Sequence, residues 1–376
     1  MNCARCIYDD RIPYIAFDAE EICSYCRQHE ALDREYPTGN EGMRRLRELA
    51  DEIRSSGKRK PYDVVIGVSG GCDSSYLCHL AKVELGLRPL AAHFDNTWNS
   101  RIAVENLQNV LGKLGIDLFT YVVDNREYCD LVRAFLEASV PESETPADIG
   151  LATTHYLAAR KHGIRYIFEG HNFRSEGISP HGWFYMDGRY IESISRSFGK
   201  VPLKTFPNLT LFRWLRWACW NGIKKIRPLY YVTYRKEDVK KLLNEKYGWQ
   251  WYGGHHMENR TANFAHNYYL PNKFGIDMRV CEFSAHIRTG TMSRAQALEE
   301  ITRPKVCDPS LVEEFKKRLG LTDADLDRIM TMPPKSYRDY PTHKRTFERL
   351  RWFFWIAYKL NRVPKSFYLK FTRRYD

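Results

Sequence analysis

Apolar residues in this chain change their period several times, and each change marks an element. Met43, Leu46, Leu49, Ala50 and Ile53 recur at helical spacing with basic residues on the other side, and Gly57 ends the pattern. A β-branched run, Val64 to Ile66, then predicts a buried strand, and from Asp73 the period is helical again through Tyr76, Leu77, Leu80 and Ala81. The alternation continues with a strand at Leu90–Phe94, a helix at 102–114, a strand at Leu118–Val123, a helix at 147–162 and a strand at Tyr166–Phe168. Such a pattern predicts a doubly wound α/β fold on a parallel sheet, whose ligands sit beyond the carboxyl ends of the strands. Three loops should meet there: Ser69–Ser75, then His93, Asp95 and Asn96, then Glu169, Gly170, His171 and Asn172. Further helices are expected at Thr233–Asn244 and at Arg294–Ile301, the latter with Ser293 as its N-cap, and the final segment is helical and basic.

The first loop carries the densest chemistry. Gly70 and Gly71 allow close approach of the backbone to an anion, and Ser69, Ser74 and Ser75, with the N–H groups of the first helical turn, can donate to phosphate oxygens. The loop lacks the lysine and the spacing of G-x-x-x-x-G-K-[ST], so it is not built around a γ-phosphate. Cys72 reads as a small filler. The later stretch Glu169–Gly177, EGHNFRSEG, sets two carboxylates beside an imidazole and an amide, a group suited to Mg2+ between phosphates; Glu176 is its best carboxylate.

Four of the ten cysteines fall in the first 26 residues as Cys3-x-x-Cys6 and Cys23-x-x-Cys26, separated by strand-like residues from Ile12 to Phe17. This is a zinc-ribbon spacing, and a site with four thiolates keeps no position for a catalytic water, so a scaffold or docking role is expected. Lys plus Arg is 58 and Asp plus Glu is 46, a net charge of +12 that favours nucleotides, RNA or lipid headgroups as partners. No apolar run is long enough to cross a membrane and no signal-peptide pattern opens the chain, so a cytoplasmic, soluble protein with reduced cysteines is expected. Basic residues concentrate in two places: ten and no acid from Ser193 to Lys236, and eight and no acid from Arg349 to Arg374. The three-residue aromatic spacing of FRWLRWACW predicts a helix packed on its own core or on a protein partner, with an RNA face as the alternative, and the four adjacent aromatics Trp352–Trp355 predict burial against the body or another subunit, with a membrane-surface helix as the alternative.

The run Ser69, Gly70, Gly71, Cys72, Asp73, Ser74, Ser75 resembles the S-G-G-x-D-S-S signature of the PP-loop ATP pyrophosphatases, whose sheet is of the adenine nucleotide alpha-hydrolase type. In that superfamily the loop holds the β,γ-pyrophosphate, so the resemblance implies that ATP is split between α and β and that AMP passes to the substrate. It also places His93, Asp95 and Asn96 at the adenosine, and Gly170, His171 and Asn172 beside the α-phosphate. Lys273 and Arg279, in a glycine-containing loop, match cations that neutralise departing pyrophosphate in comparable loops. Asp73, Glu176, Lys273 and Arg279 are thus the expected catalytic set.

P-N-K-F-G-I-D-M-R and I-R-T-G-T-M-S-R-A-Q-A-L, between Tyr268 and Glu300, narrow the resemblance further. With the four-cysteine module and SEGISPHGW, Ser175–Trp183, they are similar to the N-acetyl sugar amidotransferases of bacterial surface polysaccharide synthesis, the WbpG and PseA type. The implied reaction converts a sugar acetamido group of a nucleotide-linked sugar to acetamidino, using ATP, Mg2+ and ammonia, as in lipopolysaccharide O-antigen synthesis. No cysteine sits in a G-x-C-x-G glutaminase arrangement and position 2 is Asn2, so ammonia must come from another chain. The resemblance implies a glutaminase subunit and a cyclase-like subunit as partners. A PP-loop tRNA-thiolating enzyme is the alternative; it would need a reactive cysteine near the loop, with Cys72, Cys129 and Cys281 as candidates. The expected organisation is a zinc ribbon at 1–40, an ATP-binding domain at 41–200, the rest of the synthetase with substrate or partner elements at 201–300, and a helical C-terminal region at 301–376.

Overall fold

The computed structural model describes residues 1–254, 257–305, 307–360, 362–363 and 365–374, so residues 255 and 256 of the expected 201–300 region and residues 306, 361, 364, 375 and 376 of the expected C-terminal region lie outside the described residues. Five strands, β1 (Val64–Gly67), β2 (Pro89–Asp95), β3 (Leu118–Val122), β4 (Tyr166–Phe168) and β5 (Lys224–Ile226), form one sheet in the order β3-β2-β1-β4-β5. Every pairing is parallel, and Ile66 lies between Ala91 of β2 and Phe168 of β4. The chain starts at the centre, winds outward to β3, then crosses back to β4. The strand order therefore reverses beside β1, and the connections leaving β1 and β4 part there to open a crevice.

Alternation along β1 explains the layers. Val64 and Ile66 face a cluster built with Leu46, Leu77, Leu107 and Leu111, whereas Val65 faces Tyr156, Ala159 and Trp217 on the other side. Both faces are thus covered, as parallel strands require. The first layer comes from α2 (Gly39–Ser56), α3 (Cys72–His79) and α4 (Arg101–Leu114); α6 (Thr145–Lys161) supplies much of the second. All four helices fall where the apolar period places them. Helix α5 (Asn125–Glu137) and helix α7 (Gly188–Phe198) begin a third cluster, in which Phe135, Tyr190, Phe264, Phe315 and Ile329 pack together. Phe264 stacks on Phe315 at 3.7 Å between ring centroids, so the helices at Pro309–Leu319 and Asp323–Thr331 grow from the same core as the sheet's flank.

The strand-like stretch Ile12–Phe17 does not form a strand. Isolated bridges join Asn2 to Asp9 and Phe17 to Cys23, and helix α1 (Ser24–Glu35) starts at the second cysteine pair. Fixing the short loops falls to the cysteines, since the apolar residues there are too few to build a sheet face.

Candidate active site and metal centre

The serine-glycine loop leaves β1 and turns directly into α3. Gly70 has φ +80°, and a Cβ there would stand 2.0 Å from the Ala103 carbonyl oxygen, so only glycine fits. Ser69 N donates to Ser74 Oγ (3.3 Å), Ser74 Oγ donates to the Gly71 carbonyl (3.2 Å) and Gly71 N donates to Ser69 Oγ (3.2 Å). These bonds pre-form the cradle before any ligand arrives, which lowers the ordering cost of binding. Ser75 is buried beneath the turn, its N–H bonded to the Gly71 carbonyl.

Asp73, in the first turn of α3, accepts a hydrogen bond from the Tyr234 hydroxyl. Burial, and next the neighbouring Glu176 carboxylate, push its pKa up to about 7 against the opposing pull of Lys236 and Tyr234. The loop after β4 brings Glu176 to this place. Gly170 lies against the first turn of α3, where a Cβ would be 3.7 Å from Ser74 N. Buried Asn172 then shapes the turn: its Oδ1 accepts from Arg174 N (3.1 Å) and its carbonyl accepts from Glu176 N (2.9 Å). His171 Nδ1 bonds Glu176 Oε2. Burial alone would discharge Lys236, but Asp73, Glu282 and Glu176 outweigh it and its pKa is raised. Glu169 instead serves the sheet, bonding Lys225 (2.7 Å) and Arg227 (3.2 Å) of the neighbouring strand and its end.

Beyond β1 and β2 lies a cleft of about 320 Å³ lined by Ser69, His93, Asp95, Val104, Leu107 and Leu118 among others. Apolar walls with a polar rim, beyond the carboxyl ends of β1 and β2, suit a nucleoside. His93 Nδ1 faces the Val68 carbonyl (2.9 Å) and Asp95 Oδ1 accepts from Thr97 N (2.8 Å). Asn96 does not line this cleft. It is buried, donating to the Tyr128 hydroxyl (3.0 Å) and accepting from Trp98 N (3.0 Å), so it braces the loop that presents His93 and Asp95.

Lys273 and Arg279 are engaged away from the loop as well. Lys273 Nζ donates to the carbonyls of Ile329 and Met332 (2.8 Å for the latter), closing the carboxyl end of the helix Asp323–Thr331. Arg279 pairs with Asp277 (2.7 Å) and donates to the carbonyls of Glu300 and Ile301 (both 3.3 Å), closing the helix Arg294–Thr302. Helix ends attract cations because unpaired carbonyls gather there. The cation the structure sets beside Asp73 is Lys236, at the start of the helix Lys236–Tyr247.

Other groups on the loop come from residues far along the chain. Trp249 Nε1 donates to the Gly70 carbonyl (3.0 Å), Cys72 N donates to the Tyr252 hydroxyl (3.4 Å) and Ser69 Oγ donates to Glu258 Oε1 (3.5 Å). The signal for Lys236 lay in the basic stretch ending there; Glu258 and Glu282 carry no local motif.

Cys3, Cys6, Cys23 and Cys26 are all buried, with their sulfurs within 4.8 Å of one another. Cys3 and Cys26 stand 3.9 Å apart and Cys6 and Cys23 3.7 Å. A tetrahedral zinc with bonds of about 2.3 Å needs sulfurs about 3.8 Å apart, whereas a disulfide needs about 2 Å, so the set fits zinc. Backbone N–H groups of Cys6, Tyr8 and Cys23 point at the sulfurs. Buried Arg288 donates to both Cys26 and Cys6 (3.3 Å each) and offsets their negative charge. Arg294 donates to the carbonyls of Cys6 (3.1 Å) and Cys3 (3.3 Å). The ribbon is thereby docked on the helix Arg279–Arg288, which also carries Glu282.

Residues 258–353 match the family model described as "LPS biosynthesis protein WbpG-like, C-terminal domain". Uncharacterized protein MJ1599 of Methanocaldococcus jannaschii is 24% identical over 328 residues, which span 85% of this chain and 99% of that protein. Among solved structures, NMN synthetase from Francisella tularensis is similar at a TM-score of 0.28 and 18% identity, covering 60% of this chain and 92% of that one. The NH3-dependent NAD synthetase from Campylobacter jejuni is similar at a TM-score of 0.32 and 15% identity, covering 78% and 98%.

Proposed function

We propose that this is a WbpG-type PP-loop protein, the synthetase subunit of an ATP-dependent N-acetyl sugar amidotransferase. Its substrate is a nucleotide-linked sugar with an acetamido group, in the synthesis of a bacterial surface polysaccharide such as lipopolysaccharide O-antigen. The observation that carries the reading is the meeting of two unlike parts: the S-G-G-x-D-S-S loop, and a WbpG-like segment that brings Glu258 to Ser69 and Glu282 toward Lys236.

An amide carbonyl is a weak electrophile, and its oxygen leaves badly. ATP supplies the activation. The acetamido oxygen attacks the α-phosphorus, the bond between the α-phosphorus and the bridging oxygen breaks, and pyrophosphate departs into the cradle of Ser69, Gly70, Gly71, Ser74 and Ser75. Ammonia then adds to the imidate carbon and AMP leaves with the former amide oxygen, giving the acetamidino group. His93 and Asp95 serve the adenosine, Gly170 and His171 line the α-phosphate side, and Lys236 takes the role of neutralising charge on the leaving group, in place of Lys273 and Arg279. Asp73, whose ionisation is suppressed by burial and by the nearby Glu176 carboxylate, and Glu176 itself are a donor set suited to Mg2+. When bound, that ion would screen the phosphates and polarise them.

The thiolation alternative needs an ionised sulfur near the loop. Burial pushes the Cys72 and Cys281 thiols up to about 12 and raises that of Cys129, which favours the amidotransferase reading. The test is isotopic: with the acetamido carbonyl labelled with oxygen-18, the label should appear in AMP, with one pyrophosphate per product. Release of orthophosphate from the γ-position, or unlabelled AMP, sinks the proposal.

A further inference from the structure

Half of the exposed large apolar side chains among the described residues lie on two helical segments, 211–220 and 350–360. Trp220 is 88% exposed, Phe212 75%, Trp352 65% and Trp355 48%. The two segments adjoin, because Trp214 from the first packs against Phe354 of the second (6.1 Å between centroids) and against Phe367 (4.4 Å). Phe354 and Trp217 occupy the inward positions, so burial of this region is already complete on one side. Outward, exposed Arg213, Arg216, Arg349, Arg351 and Lys359 share the surface with the aromatics. No Asp or Glu occurs from Ser193 to Lys236 or from Arg349 to Arg374.

We propose that this face docks the protein on an anionic lipid surface, with Trp220, Trp352, Trp355 and Phe212 entering the boundary between headgroups and acyl chains and the cations meeting headgroup phosphates. The charge decides the occupant. Five exposed cations stand among these aromatics and neither basic stretch holds a carboxylate, so the occupant must be anionic across the whole face, as a layer of acidic headgroups is. RNA platforms stack bases on flat rings, but Leu350, Ile356 and Leu360 are also exposed here and offer no stacking face. Tryptophan with arginine and lysine beside aliphatic residues is the composition that partitions to the interface of a bilayer. No helix of the described residues is long and apolar enough to cross a membrane, so the contact is peripheral. Each basic residue near an anionic surface contributes roughly a fivefold factor in affinity.

The full zinc-loaded chain is tested by co-sedimentation with phosphatidylcholine vesicles with and without phosphatidylglycerol. Binding is expected only with the anionic lipid, weakening as salt is raised. Trp220→Ser with Trp355→Ser, and separately Arg213→Glu with Arg216→Glu, should each lower the bound fraction at least roughly tenfold, while zinc content and circular dichroism stay as in the parent. Should a variant fail to fold, brominated lipid must still quench the parent's tryptophan fluorescence. The proposal is overturned by equal binding to neutral vesicles, by no binding, by absent quenching, or by folded variants that bind as the parent does. An RNA oligonucleotide or an acidic protein taking the face in place of vesicles overturns it equally. This test is independent of the amidotransferase reading, since it needs no turnover.

Discussion

Asp73 shows how much one carboxyl can carry. In the folded chain its pKa is about 7, raised by burial and by Glu176 above its ordinary 3.8. A carboxyl raised on folding binds more protons folded than unfolded between those values, so its contribution to stability falls as pH climbs from about 4 to about 7 and the penalty persists above. Asparagine carries no charge and removes that slope. Asp73→Asn should therefore stabilise the ligand-free protein at pH 8 by about 1–3 kcal/mol and by almost nothing at pH 4, read by urea unfolding. The same change should lower pyrophosphate release roughly a hundredfold or more. A variant that is unaltered in both readouts would remove Asp73 from the site. Its position was legible because Ser69 to Ser75 are contiguous and the strand before them is plain. Tyr234 and Glu282 were not, and Lys236 showed only as the end of a basic stretch, because what brings them to this place is the fold; between Asp73 and Tyr234 alone lie 160 residues.

Strands and helices come from local pattern, and their ends from distant groups. Strands β1 to β4 follow apolar runs, but β5 reads Lys224-Lys225-Ile226, which has no strand signal and becomes one by pairing with β4, where Lys225 also meets Glu169. In the aromatic segments Trp217 and Phe354 are buried against the body, as the pattern predicts, while several of their neighbours stand at the surface of the single chain. A cation in a glycine-containing loop carries the same letter whether it faces phosphate or caps a helix. For Lys273 the partners are backbone carbonyls, invisible in any motif, and Arg279 adds two such carbonyls to its pairing with Asp277. Lys273→Met and Arg279→Met should each cost about 1–2 kcal/mol of stability while pyrophosphate release per folded molecule stays within about twofold. A hundredfold loss of rate in a folded variant would return them to the leaving group. The ribbon, by contrast, was readable from four cysteines alone, although its clasp was not. Arg288→Met should retain about one zinc per chain but release it to a chelator at least about tenfold faster, whereas Cys23→Ser should lose the metal outright by elemental analysis. Equal release rates would mean that Arg288 does not support the thiolates.

At the scale of the whole molecule, the parts are locked together through the segment from Glu258 onward. Its first residue reaches the serine loop, Phe264 enters the core shared with Phe135 and Tyr190, and Arg288 holds the ribbon. On the proposed reading this chain supplies the activating site and ammonia comes from elsewhere, a reading supported by the lack of any cysteine in a G-x-C-x-G arrangement and by the burial that raises the Cys72, Cys129 and Cys281 thiols. That division of labour requires the nitrogen to reach the imidate already free. Purified chain with ATP, Mg2+ and an acetamido nucleotide sugar should form the acetamidino product with ammonium and not with glutamine, measured by mass spectrometry of the sugar-nucleotide pool. At constant total ammonium the rate should rise with pH, since only neutral ammonia has the lone pair to attack the imidate carbon. Adding a glutaminase partner should then make glutamine a better donor than ammonium and flatten that pH dependence, because ammonia delivered inside a complex does not equilibrate with bulk ammonium before it reacts. Efficient glutamine use by the chain alone would contradict that division of labour.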